Sequence, residues 1–190
     1  MLSQFTKEGE HKTLADLDFN PPAGRAGFPK DVYPVGRLDS DSEGLLLLTN
    51  DRSINHKLLD PKFKHNRTYL AQVEGTFTEE AKRKLERGVE ISVDGKKYQT
   101  LPCKVEIVPE PKLPERDPPI RYRKNIPTSF IKIALHEGKN RQVRKMTAAA
   151  GFPTLRLIRT AIENIQLENL MPGETKEMQT VNVFQLLNIG

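Results

Sequence analysis

The chain contains a single cysteine, Cys103, which excludes an internal disulfide and a cysteine-based zinc cluster. Cys103 reads as a buried filler in preference to a nucleophile. No apolar run approaches the ~20 residues of a membrane-spanning helix, so no membrane partner is expected. The opening segment, MLSQFTKEGEHK, lacks the apolar stretch of a secretory signal. His11, His56, His65 and His136 are scattered, and no pair has metal-ligand spacing. Internal repeats and low-complexity tracts are absent as well. These absences point to a soluble, cytoplasmic protein that holds no metal.

Charge is what the sequence has in quantity. Of 190 residues, 29% are charged and 36% hydrophobic, enough for one domain or a compact two-lobed one. The formal net charge of +5 favours an anionic partner, although a solvated basic surface has the same composition.

Residues 1–30 are polar and read as loop with little helix. Val32–Leu38 reads as a short strand leading into Asp39, Ser40–Gly44 as a polar turn, and Leu45–Thr49 as a strand buried on both faces. Asn50 and Asp51 can cap a short helix that stops before Pro61. Thr68–Val73 predicts a strand with Tyr69, Ala71 and Val73 on one face. Thr78 reads as an N-cap, with Glu79 and Glu80 in the first turn and Lys84 and Arg87 in the last. Gly88 supplies a left-handed stop. Val89, Ile91 and Val93 alternate up to Asp94-Gly95, a hairpin signal, and Val105 and Ile107 alternate beyond it.

Residues 109–127 hold six prolines together with Arg116, Arg121, Arg123 and Lys124, so regular structure is not expected there. Either a plain surface connection or a basic loop that closes on a nucleic-acid strand fits this composition. Ile131, Ile133 and Leu135 alternate as a strand. A helix near 140–150 places Val143, Met146, Thr147 and Ala150 on its core face, and Gly151 ends it. Leu155 and Leu157 open another strand, alternating with Arg156. Interleaved strands and helices with hairpin connections predict an α+β fold with a mixed, largely antiparallel sheet and flanking helices.

The stretch 132–160 carries Lys132, Lys139, Arg141, Arg144, Lys145, Arg156 and Arg159 against one acid, Glu137. Arg141, Arg144 and Lys145 have the spacing of one helix face, where like charges repel unless a partner such as a phosphate backbone neutralises them. A solvated face is the plainer alternative. Asp39 sits between an apolar strand and the acidic, glycine-bounded run Ser40–Gly44, a place that could expose it in a cleft or form an ordinary turn.

Three runs carry a more specific signal, in order along the chain. VYPVGRLDSDSEGLLLLTND resembles the signature of the RsuA/RluB/RluE/RluF group of pseudouridine synthases. Arg67-Thr68-Tyr69 resembles the group's basic-x-Tyr strand, and EGKNRQVRKM from Glu137 to Met146 resembles its E-G-K-x-x-Q-V-R-R-M helix. PPIRYRKNIPTSF and MTAAAGFPTLRLIR are similar to the RluE branch, and the resemblance runs from residue 2 to about 178.

This resemblance implies a pseudouridine synthase fold with two lobes around a basic cleft, acting without cofactor on a uridine of large-subunit 23S ribosomal RNA or its precursor particle. The N1–C1′ bond breaks, the uracil turns, and it rejoins through C5. Asp39 falls on the catalytic aspartate, as nucleophile or as the base of a glycal route. Arg144 falls on the arginine that could pair with that carboxylate, or else be a phosphate contact only. Tyr69 falls on the tyrosine that stacks on the flipped uracil, or else is a core aromatic. Arg37, Lys139, Arg141, Lys145, Arg121, Arg123 and Lys124 would hold the RNA.

A catalytic domain over 1–180 and a C-terminal tail over 181–190, which either packs or dangles, complete the expectation, with a monomer as the working form. Relatives usually begin with a strand carrying a Lys-Pro pair. No counterpart precedes Leu2, nor is there a separate N-terminal RNA-binding domain. A noncatalytic RNA chaperone of the same fold is the rival reading.

Overall fold

The computed structural model describes residues 1–17, 28–29, 31–120, 123 and 125–189. Two compact units divide the chain: Met1–His65 with Thr160–Gly190, and Asn66–Arg159. Among the described residues no helix is long and apolar enough to cross a membrane.

The first unit begins with an irregular segment that contains one 3-10 turn, Leu14–Asp16. Thr13 and Asp16 bond reciprocally across its start, which settles the first N–H groups of the turn. Strands here are very short: β1 (Tyr33–Pro34), β2 (Glu43–Gly44) and β3 (Leu48–Thr49). β1 and β3 pair antiparallel, Tyr33 opposite Thr49. The expected strands over 32–38 and 45–49 are thus each reduced to two residues. Pro34 brings no N–H to a ladder, and Gly36 turns the chain away at φ +68°. With so short a partner, Leu45 is buried outside any strand, and Leu46 to Thr49 are half-buried.

α1 (Arg52–Leu59) follows, and the Asp51 carboxylate accepts the Ser53 N–H as its cap. The chain leaves for the second unit and returns with the end of a long strand, a two-residue strand and a last helix. Val35, Leu45, Ile54, Leu58, Ile162, Ile165, Leu187 and Ile189 form this unit's core. The C-terminal residues therefore pack.

The second unit is built on β4 (Arg67–Glu74), whose eight residues pair antiparallel with those of a later strand. Between them lie α2 (Glu79–Glu86), capped by Thr78 as expected, and the hairpin of β5 (Glu90–Val93) and β6 (Lys96–Gln99). Asp94 and Gly95 both have positive φ, the conformation that a tight two-residue hairpin turn demands. β7 (Lys104–Val108) and β8 (Thr128–Leu135) complete the antiparallel set, with β8 between β7 and β4. The described part of 109–127 holds no helix or strand.

α3 (Gln142–Ala149) packs Val143 and Met146 inward, and β9 (Thr154–Ile162) lies beside β4. β9 continues into the first unit, where β10 (Ile165–Gln166) pairs with it before α4 (Thr180–Leu186). The second core gathers Ala71, Val73, Leu85, Ile131, Ile133, Val143, Met146 and Leu157. Half-buried Cys103 donates to the Leu85 carbonyl, and desolvation pushes its thiol up to about 12, so it stays protonated. Strands and helices interleave around a mixed, largely antiparallel sheet, the α+β class the sequence predicts.

Candidate active site

In the first unit the backbone around Asp39 is fixed on both sides. The Ser3 hydroxyl accepts the Leu38 N–H at 2.9 Å and donates to the Leu38 carbonyl at 3.1 Å. Immediately beyond, the Asp39 carbonyl accepts the Ser42 N–H at 2.9 Å, which closes a turn. Gly36 begins the approach, and a side chain there would meet Leu59 Cδ2 at 3.1 Å as well as straining a positive φ. The result is a half-buried carboxylate on a loop whose two ends are tied, with Arg37 exposed two residues before it. Such a loop can present a charged oxygen without letting it wander.

The second unit holds the other candidates. Tyr69 lies on β4 opposite Ile133, on the same face as Ala71 and Val73, and is half-buried against the core. Arg159 of β9, a guanidinium only 4% exposed, interacts electrostatically with the Tyr69 phenol. Burial lowers the Arg159 pKa from its ordinary value, and the like charge of Arg67 adds to this. The Tyr69 contact opposes both.

The loop from Glu137 to Gln142 is closed by its own side chains. Gln142 Nε2 donates to Glu137 Oε1 at 2.8 Å, and Gln142 Oε1 accepts the Lys139 N–H at 2.9 Å. Glu137, 8% exposed, also accepts the Leu101 N–H at 2.7 Å and the Tyr98 hydroxyl. Its carboxylate raises the Tyr98 phenol above its ordinary pKa. Each Glu137 oxygen thus has a donor, the condition for burying a carboxylate. The loop leaves Lys139, Asn140 and Arg141 exposed, with the Lys139 ammonium 4.8 Å from the centre of the Tyr98 ring.

Arg141 is the N-cap residue of α3, at φ +52°, so the expected three-residue basic face is reduced to Arg144 and Lys145 within the helix. Arg144 is half-buried, and its Nη1 donates to the Thr154 carbonyl at 3.4 Å. Thr147 and Thr154 join through their hydroxyls at 2.7 Å beside it. Arg123 is exposed and pairs with Glu74 at 3.5 Å. Arg121 and Lys124 lie outside the described residues. Of the candidates, Arg37 and Asp39 belong to the first unit, and Tyr69, Arg123, Lys139, Arg141, Arg144 and Lys145 to the second.

Arg156 and Arg159 are corrections to the picture of one basic surface over 132–160. Both are buried, and Arg156 Nη1 donates to the Pro114 carbonyl at 3.0 Å. Charge counts both with the basic residues of that stretch, but β9 lies between β4 and β10 in its sheet. Ser3, Glu137 and Arg159 are the residues that motif reading undervalues. Glu137 did carry a signal, as the lone acid in a basic stretch, whereas Ser3 carried none. Among the described residues there is no cluster of three or more metal-ligating side chains.

The family described as RNA pseudouridylate synthase matches residues 5–149 of the chain. The chain is 51% identical over 179 residues to a ribosomal large subunit pseudouridine synthase E of Vibrio parahaemolyticus, covering 94% of this chain and 69% of that protein. It is 44% identical over 185 residues to the protein of the same name from Xanthomonas axonopodis pv. citri, covering 96% and 90%. A solved structure described as a pseudouridylate synthase superposes with a TM-score of 0.72 at 26% identity. That superposition covers 94% of this chain and 66% of the solved one.

Proposed function

The chain belongs to the RNA pseudouridylate synthase family, and we propose that it isomerises one uridine of large-subunit 23S ribosomal RNA to pseudouridine, with Asp39 starting the reaction. The observation that carries this reading is the family match across residues 5–149, which includes the GRLD loop, the Tyr69 strand and the QVR helix in order. The tied loop around Asp39 supports the residue assignment, because a carboxylate that must reach one atom gains from a backbone that does not move.

Each residue has a definite task in this scheme. The Asp39 carboxylate attacks the ribose or withdraws the proton that opens a glycal route; both need it ionised. Arg144 is the cation for that carboxylate. Tyr69 gives the extruded uracil an aromatic surface, which lowers the cost of leaving the stack. Arg37, Arg123, Lys139, Arg141 and Lys145 bind phosphates, which makes affinity fall with salt. Arg121 and Lys124 have the same proposed task. The chain works without a cofactor, as a monomer, on free or precursor-particle RNA in the cytoplasm, with 1–180 as the catalytic domain.

The test is incubation with unmodified 23S ribosomal RNA, followed by carbodiimide-blocked primer extension. One new stop in the large-subunit RNA is the expected result. RNA that stays unmodified while the chain binds it would replace this reading with a noncatalytic RNA binder.

A further inference from the structure

From Arg52 to Lys64 the first unit carries the bases Arg52, Lys57, Lys62 and Lys64 against the single acid Asp60, with His56 among them. α1 buries Ile54 and Leu58 and leaves Arg52, His56 and Leu59 exposed, at the spacing of one helix stripe. A 3-10 turn, Pro61–Phe63, prolongs that stripe. The Phe63 ring meets the His56 ring edge-on, centres 6.1 Å apart, and the Lys62 ammonium lies 4.8 Å from the centre of the Phe63 ring. Phe63 is 41% exposed and stands outside both cores, so the fold gains little from an aromatic there.

A lone exposed apolar side chain is ordinary on a protein surface. This one is held out on a fixed turn. The Asp60 carboxylate accepts the Lys62 N–H at 3.0 Å, and the Asp60 carbonyl accepts the Phe63 N–H at 3.2 Å. Beyond the ring Lys64 is left-handed at φ +51°, a conformation that a lysine keeps only where its surroundings impose it. Buried His65 then anchors the chain, its Nδ1 3.2 Å from Glu163 Oε1. The stripe also adjoins the Asp39 loop: Leu59 Cδ2 stands 3.1 Å from where a Cβ on Gly36 would be, three residues before Asp39.

An aromatic face with cations beside it suits an unpaired nucleotide, whose base stacks on the ring while its phosphates meet the ammonium groups. Lys62 is paired with Asp60 at 3.0 Å, an exposed pair that adds little to stability and yields readily to a phosphate. We propose that Phe63 is a stacking platform for an unpaired base in the RNA that flanks the target uridine, with Lys62 and Lys64 on its phosphates. This rests on the proposed function and extends its RNA surface to a segment outside the signature motifs.

The sequence has no tryptophan, so Phe63→Trp supplies a single fluorescent reporter at the platform. Unmodified 23S ribosomal RNA should quench it, and a blunt RNA duplex of equal phosphate content should not. Val181→Trp, at a side chain 69% exposed on α4, is the control and should keep its emission. The kinetic arm uses the full chain and 23S ribosomal RNA labelled with tritium at C5 of uridine, a label that leaves when the new C5 bond forms. Phe63→Ala should raise KM by about fivefold or more with kcat within about twofold, because the stacked base is bound alike before and during reaction. Phe63→Tyr should hold KM near the wild-type value. Phe63→Leu, apolar but without a π face, should behave like the alanine.

A wild-type KM in Phe63→Leu, equal quenching by the duplex, equal quenching of Val181→Trp, or a reporter that responds to protein concentration without RNA would each overturn the platform and leave the enzyme assignment intact. A wild-type chain that releases no tritium would overturn the enzyme assignment, while the quenching titration still decides the platform.

Discussion

Ser3 grips Leu38 at both its backbone groups with one hydroxyl, and Leu38 is the residue that delivers Asp39. A hydroxyl can do this because it donates and accepts at once. The N-terminal segment is thereby part of the site's frame. Truncating the hydroxyl in Ser3→Ala strands a part-buried N–H and C=O, an expected destabilisation of about 1–3 kcal/mol by denaturant unfolding. It should also lower kcat more than it raises KM, because the loop that aims the carboxylate is loosened. Ser3→Thr, which keeps the hydroxyl, should restore kcat toward the original. Equal activity in Ser3→Ala would mean that the Asp39 loop holds itself.

Glu137 is the hub of the second unit's basic loop. Glu137→Ala leaves Gln142, the Leu101 N–H and Tyr98 without their acceptor, an expected loss of about 2–4 kcal/mol by thermal or denaturant unfolding. Glu137→Gln keeps one carbonyl oxygen and should cost less than the alanine. RNA affinity should weaken in both, since Lys139 and Arg141 sit on this loop. A filter-binding titration at fixed salt measures that effect.

Acid sensitivity follows from carboxylates that cap turns. Asp51 accepts hydrogen bonds from Ser53, first through that residue's side chain and then its backbone, which lowers its pKa from the ordinary 3.8. Asp16 and Asp60 are lowered in the same way, by bonds from Thr13 and Lys62. A depressed folded-state pKa means stability that is present above the unfolded value and is lost as pH falls through the folded one. Stability should therefore decline below about pH 4, and Asp51→Asn should flatten part of that decline. Urea unfolding at a series of pH values gives both slopes.

Local signals were legible wherever neighbouring residues decide the structure. Thr78 and Asp51 cap the helices the sequence predicts, and Asp94-Gly95 makes its hairpin turn. The apolar alternation of Ile131, Ile133 and Leu135 gives a buried strand face. Sequence failed where a distant element decides. Leu45–Thr49 has the apolar density of a buried strand, but β1 offers it only two partners. Arg156 and Arg159 count with the basic residues of 132–160, but their strand lies between others and both are buried. Val181–Gly190 matches no motif, yet α4 leads to Leu187 and Ile189 in the first unit's core, a packing that only the return of the chain creates. The motifs single out Asp39, Tyr69 and Arg144 as candidates, while Ser3, whose hydroxyl holds the backbone just before Asp39, is visible only in three dimensions.

Release of tritium from C5-labelled 23S ribosomal RNA, by the wild-type chain and by Asp39→Asn side by side, tests the central claim most directly. The variant keeps the size of the side chain and removes its charge. The account predicts stoichiometric release at one site by the wild type and none above background by Asp39→Asn, with RNA binding retained in both. Release by Asp39→Asn at the wild-type rate would contradict it.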